Sequence, residues 1–228
     1  MELGHIRVEP LDAISGGWRV LLHNPDRLNA MSRAMWRELK AVFEQINTDA
    51  SARCVLVEGE GASFCAGGDI SEYPAFRFDE AALREFHETE VWGALAAMLA
   101  CDVPLVAGIA GACMGAGVEI ASCCDIRIAG ASARFGAPIA RLGFPMAPRE
   151  AQLVAGALGE AVARQMLLEA VTFSAAEMQT CGFPFSRFPL HVAFGRLLTA
   201  ASYVSGAHRD PVVAAMVMES ADAKASAR

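Results

Sequence analysis

The chain has 228 residues, 54% of them apolar and 20% charged, with a formal net charge of −7. That length allows one sizeable hydrophobic core or at most two small ones, and that composition excludes an intrinsically disordered chain. An acidic balance without a dense Lys/Arg run argues against a nucleic-acid partner.

The first ten residues, MELGHIRVEP, lack the apolar stretch of a signal peptide. Trp18 to His23 (WRVLLH) reads as a short buried strand. NPDRLNAM supplies turn residues, and Ser32 caps a helix running to about Asn47. Met35, Leu39, Val42, Phe43 and Ile46 share one face of that helix. Cys54 to Glu58 (CVLVE) is the next strand. GEGASFCAGGD follows, too rich in glycine for a helix, and Tyr73 to Asp79 forms a loop around Pro74. A single helix is expected over Glu80 to Ala100, after which Pro104 opens the strand PLVAGIA. The stretch from Val103 to Ala121 is the most apolar in the chain, yet Pro104, its glycines and Glu119 make it unsuitable as a membrane span.

GACMGAGVEIASCCD begins as a glycine-rich turn and becomes a helix near Gly115. DIRIAG and ARFG read as short strands, followed by helices over Ala151 to Ala157 and Gly159 to Glu169. Ser174 caps SAAEMQTCG, which Gly182 ends. From about Ser220 the chain is small and polar, and fraying is expected there. Alternating strands and helices indicate an α/β chain with helices on sheet faces.

Seven cysteines, an odd number including the adjacent pair Cys123-Cys124, do not suit a disulfide framework. With no CxxC spacing and five scattered histidines, no metal set is expected. The cysteines read as small buried residues in a reducing, cytoplasmic compartment.

Two glycine-rich turns carry the candidate chemistry: Cys65-Ala66-Gly67-Gly68-Asp69, and Gly111 to Gly117. A turn entering a helix presents free N–H groups at the positive end of the helix dipole. Two such turns facing each other would hold an oxyanion between two donors; the alternative is that both are packing turns. The second turn is not GxGxxG, since Ile occupies position 120, and no P-loop lysine is present. Glu119 follows Gly117 by two residues in an apolar segment. Burial there raises a carboxylate's pKa and suits it to acid/base work. The competing reading is a helix-start carboxylate satisfied by backbone donors.

Four segments in order resemble the enoyl-CoA hydratase (crotonase) superfamily: NPDRLNAM, ARCVLVEGEGASFCAGGDISE, PLVAGIAGACMGAGVEIASCCDIRIAGASARFGAP and LGEAVARQMLLEAVTFSAAEMQTCGF. The resemblance covers roughly residues 16 to 183. It implies a spiral of repeated ββα units over residues 1–183 and a short helical C-terminal region over 184–228, about thirty residues shorter than usual in the family. It also implies trimers or hexamers and an acyl-CoA substrate, with no metal or redox cofactor. By the same resemblance, the amides of Gly68 and Ala116 match the oxyanion donors, and Glu119 matches one catalytic glutamate. Ala66 matches a carbonyl that contacts the adenine of CoA, and Arg27, Ala30, Asp69 and Ile70 match positions along the CoA path.

Hydratases of this family use a second glutamate after a Phe-Gly-X-Pro element, which here is Phe135-Gly136-Ala137-Pro138 followed by Ile139. Ile139 cannot transfer a proton. Glu150, at the start of the next helix, is the possible replacement acid, although a solvated first-turn glutamate serving the helix dipole is the preferred reading. His87 and Tyr73 lie near a loop that often covers the acyl group. Three functions remain: a hydratase, a single-glutamate isomerase or other enolate enzyme, and a non-catalytic acyl-thioester binder.

Overall fold

The computed structural model describes residues 3–12, 14–143, 146–183 and 185–186. Strands β1 (His5–Pro10) and β2 (Gly17–His23) pair antiparallel, with His5 opposite His23 and Pro10 opposite Trp18. The sequence carries little signal for β1, an edge strand of half-buried and exposed residues. Helix α1 (Arg33–Thr48) starts where expected, with the Met35 amide donating to the Ser32 hydroxyl at 3.2 Å. Met35, Trp36, Leu39, Phe43 and Ile46 are its buried face.

Strand β3 (Cys54–Gly59) leads into the first glycine-rich turn. The helix expected over Glu80 to Ala100 is divided into α2 (Glu80–Glu85), a wide π-helical turn (Phe86–Val91) and α3 (Trp92–Leu99). Strands β4 (Leu105–Ile109) and β5 (Ala112–Met114) then precede α4 (Ala116–Cys123). Next come β6 (Ile126–Ala129), β7 (Arg134–Gly136) and the short α5 (Ile139–Leu142). Helix α6 (Pro148–Leu158) begins three residues earlier than its apolar pattern suggests, because Pro148 suits the first helical position. The described chain ends with α7 (Glu160–Leu168), β8 (Thr172–Ser174), α8 (Ala175–Thr180) and β9 (Phe185–Ser186). Ser174 and Glu177 close a reciprocal capping box on α8. Apart from β9, the C-terminal region drawn from residue 184 and the fraying expected from Ser220 lie outside the described residues.

The strands form two sheets, one ordered β1-β2-β3-β4-β6-β9 and a smaller one ordered β5-β7-β8. From β2 onward the large sheet is parallel, so each strand requires a crossover. Each crossover lays a short extended segment on a second layer: Met31 bridges Gly68, Cys65 bridges Cys113, and β5 pairs with β7. The result is the expected α/β spiral. Alternation along β3 sends Val55 and Val57 into the main core, while Cys54 and Leu56 join Val106 and Ile128 on the opposite face. Burying each of the Val, Leu and Ile side chains among these contributes about 1.5–3 kcal/mol. All seven cysteines are free thiols; five are buried, whereas Cys101 is half-buried and Cys181 is exposed. No described helix is long and apolar enough to cross a membrane.

The π-helical turn is tied to α1 by an ion pair. Arg33 donates from Nε and Nη2 to the Glu90 carboxylate at 2.9 and 2.6 Å, and its guanidinium stacks 5.0 Å from the Phe76 ring centroid. Glu90 is 6% exposed, so removing its partner strands a charge. Arg33→Ala is expected to cost about 2–3 kcal/mol in denaturant unfolding, short of a fully buried pair because Arg33 itself is partly solvated. Arg37→Ala, on the exposed side of the same carboxylate, should cost under about 1 kcal/mol.

Candidate active site

The two glycine-rich turns meet in the second layer. The Cys65 amide donates to the Ala112 carbonyl at 2.8 Å, and the Met114 amide donates to the Cys65 carbonyl at 2.8 Å. On its other side the first turn is held by residues 28–31. Ala66 N–H reaches Leu28 O, Met31 N–H reaches Gly67 O, and Asp69 N–H reaches Met31 O, all within 2.9 Å. Between the amides of Ala66 and Asp69, Gly67 adopts a φ of +117°, and Gly68 borders the cavity. The second turn reaches α4 through Gly115, whose φ of +47° and ψ of −109° exclude a side chain. Ala116 is then the first residue of α4, and its N–H has no helical carbonyl to pair with. A Cβ placed on Gly117 would sit 2.8 Å from the Cys65 carbonyl, so α4 starts hard against the first turn.

These turns wall a cavity of about 110 Å³, bordered by Ala66, Gly68, Ile70, Ala116, Glu119 and Glu150 among the sequence candidates. Trp36, Phe86, Val91, Met114, Leu142 and Met146 make its apolar lining; periodicity marks such residues only as core. Tyr73, His87 and Ile139 border it as well. Arg27, Ala30 and Asp69 stand beside the cavity and do not line it. Arg27 Nη1 donates to both Asp69 oxygens and to Ser71 Oγ, each at 2.7 Å. A larger open groove of about 440 Å³ lies beyond α4, between Trp92, Arg127 and Leu153, and no carboxylate lines it.

Glu119, the fourth residue of α4, is 5% exposed. Among the described residues no donor holds its carboxylate, which removes the reading of a helix-start glutamate satisfied by backbone. Burial, and after it the charge of Glu150, raises its pKa well above the ordinary carboxylate value. The preferred sequence reading of Glu150 is corrected. It is 3% exposed, not solvated, because α6 packs on α4 with Glu150, Val154 and Leu158 on its buried face, while Pro148 and Arg149 stay exposed. Glu150 Oε1 lies 2.9 Å from His87 Nδ1.

His87 owes its place to the π-helical turn. Phe86, His87 and Val91 all border the cavity, and residues five apart share a face only where the helix widens to i→i+5 bonding. Nothing in the sequence separates this turn from ordinary helix. The Tyr73 hydroxyl lies against the Gly68 turn, 3.2 Å from where a Gly68 Cβ would stand. Burial first, then Glu119 and Glu150, raises the Tyr73 phenol, keeping it neutral. Among the described residues, no group of three or more His, Cys, Asp or Glu side chains is placed to hold a metal ion.

The family model described as enoyl-CoA hydratase/isomerase matches residues 15–228. The chain belongs to the enoyl-CoA hydratase/isomerase family. It is 32% identical over 163 residues to a probable enoyl-CoA hydratase of Mycobacterium leprae, covering 72% of this chain and 62% of that one. The chain thus spans about three-fifths of the length of that relative. It is also 32% identical over 167 residues to the mitochondrial Δ(3,5)-Δ(2,4)-dienoyl-CoA isomerase of Mus musculus, covering 70% of this chain and 50% of that one. A crystal structure of an enoyl-CoA hydratase/carnithine racemase from Magnetospirillum magneticum is similar, with a TM-score of 0.79 and 28% identity. The match covers 98% of this chain and 82% of that one. The spiral fold is therefore that of the crotonase superfamily.

Glu119 binds its proton more tightly folded than unfolded. Stability therefore falls as pH rises from the ordinary carboxylate value of 4.5 toward its raised folded value. Glu119→Gln, neutral throughout, is expected to melt above the parent at about pH 8, with the gap closing toward about pH 4. Thermal melts across that range read it, and a gap independent of pH would contradict the assigned burial.

Proposed function

We propose that this chain acts on acyl thioesters of coenzyme A and that its reaction is hydration of a 2-enoyl thioester. The reading rests on the chain's family membership. The observation that carries it is a pair of buried carboxylates, Glu119 and Glu150, bordering one cavity with the Gly68 and Ala116 turns. The thioester oxygen takes up negative charge as the enolate forms, and the two amides stabilise it there. One such donor is worth about 3 kcal/mol in related chemistry. Glu119, held neutral by its surroundings, delivers a proton to C2, while Glu150 takes one from the water adding at C3. Glu150 thereby supplies the second carboxylate that Ile139 cannot.

In this reading coenzyme A enters with the substrate, and no resident metal or redox cofactor is required. Ala66 contacts the adenine through its carbonyl, and Arg27, Ala30, Asp69 and Ile70 flank the CoA path, as the family resemblance implies. Assembly as trimers or hexamers belongs to the same proposal, and mass photometry of the purified chain tests it.

A second reading is double-bond isomerisation through Glu119 alone. Ile139 on the cavity wall favours it, as does the isomerase among the relatives. A panel of acyl-CoA thioesters in deuterated water, read by mass spectrometry, separates the two. Hydration gives a 3-hydroxyacyl product with deuterium at C2. Glu119→Gln is expected to lower turnover at least about 100-fold. Glu150→Gln should abolish hydration while leaving slow exchange at C2. Exchange without hydration in the parent protein would transfer the reading to isomerisation. Silence on every chain length, with CoA binding intact, would leave a non-catalytic thioester binder.

A further inference from the structure

Two buried glutamates border one cavity, and the structure supplies an asymmetry between them. Glu119 has no donor among the described residues. Glu150 faces His87 Nδ1 at 2.9 Å, across a contact that joins the π-helical turn to α6. The Glu150 side chain is 4% exposed and that of His87 22%, so the pair runs from the cavity toward its rim. The imidazole is fixed in plane, its ring packed edge-on against Phe86 with centroids 5.0 Å apart at 71°. Glu150 also occupies the first turn of α6, where the helix dipole favours an anion.

We propose that His87 is the positioning residue for Glu150, donating its Nδ1–H to Oε1 so that the carboxylate is fixed in place and presents Oε2 to the water that adds at C3. This rests on the hydration reading above and deepens it. It assigns Glu150 as the base and leaves Glu119 as the acid. The other groups facing the pair do not supply this function. Tyr73 and Glu119 are both kept protonated by burial, so neither brings a charge to Glu150. Arg149 is paired with Glu88 at 3.0 Å on the outer side of the same two elements, and Arg33 and Arg37 are committed to Glu90.

His87→Leu, close in size and unable to donate, is expected to lower kcat about 10- to 100-fold, the cost of a slackened catalytic group. KM should change little. His87→Asn places an amide N–H where Nδ1 stood, and it should restore most of kcat. A simple packing role predicts the reverse order, with Leu better than Asn. Parent-like kcat in His87→Leu, or no recovery in His87→Asn, overturns the proposal.

A readout independent of turnover separates this from failure of the hydration reading. In 15N-histidine NMR spectra, His87 should be protonated at Nδ1 in the parent and should revert to the common Nε2–H form in Glu150→Ala. An unprotonated Nδ1 in the parent overturns the hydrogen bond itself. Nδ1–H present without turnover of any thioester overturns the catalytic assignment while leaving the contact in place.

Discussion

The backbone hydrogen bonds that join Cys65 to Ala112 and Met114 fix the rest of the site. They set the first glycine-rich turn against the second. Because α4 begins directly after that contact, they also fix where its first amide and its glutamate lie. Gly117 tolerates no side chain at this junction, since the Cys65 carbonyl occupies the space. The Gly68 and Ala116 amides, proposed above as oxyanion donors, are therefore placed by sheet register, and their positions depend on the spiral and not on any side chain. Alanine at position 116 keeps the backbone N–H that a glycine would offer.

The carboxylates obey a different constraint. Glu119 travels with α4, whereas Glu150 arrives on α6, after the chain has passed Ile139 on the cavity wall. The place of Glu150 is set by the packing of α6 on α4, and His87 from a third element lies within hydrogen-bond distance of it. Burial without a donor raises Glu119, whereas Glu150 has the His87 ring nitrogen at hydrogen-bond distance.

Much of this was legible in the sequence, for identifiable reasons. Strands such as β3 and β4 are short apolar runs bounded by glycine or proline, and Ser32 and Ser174 announce their helices by capping chemistry. The two turns and Glu119 are contiguous motifs, so reading along the chain finds them. Glu150 and His87 are not contiguous, and only tertiary packing joins them. On helical period alone, a glutamate two residues after Pro148 looks like a solvated dipole partner. It is buried because α6 lies on α4, which no local pattern encodes. β1 escaped notice because an edge strand needs apolar residues on one face at most.

The π-helical turn between α2 and α3 carries a consequence for how this wall could have arisen. A widened turn is what remains when one residue is inserted into a continuous α-helix and the ends, already packed, refuse to rotate. Each residue of ordinary helix advances about 100°. Deleting one residue between Phe86 and Val91 would swing Phe86 and His87 off the cavity while Glu90 stayed latched to Arg33. The turn thus works as a frame shift in three dimensions, and it is what admits a histidine to a wall that a regular helix would have lined otherwise.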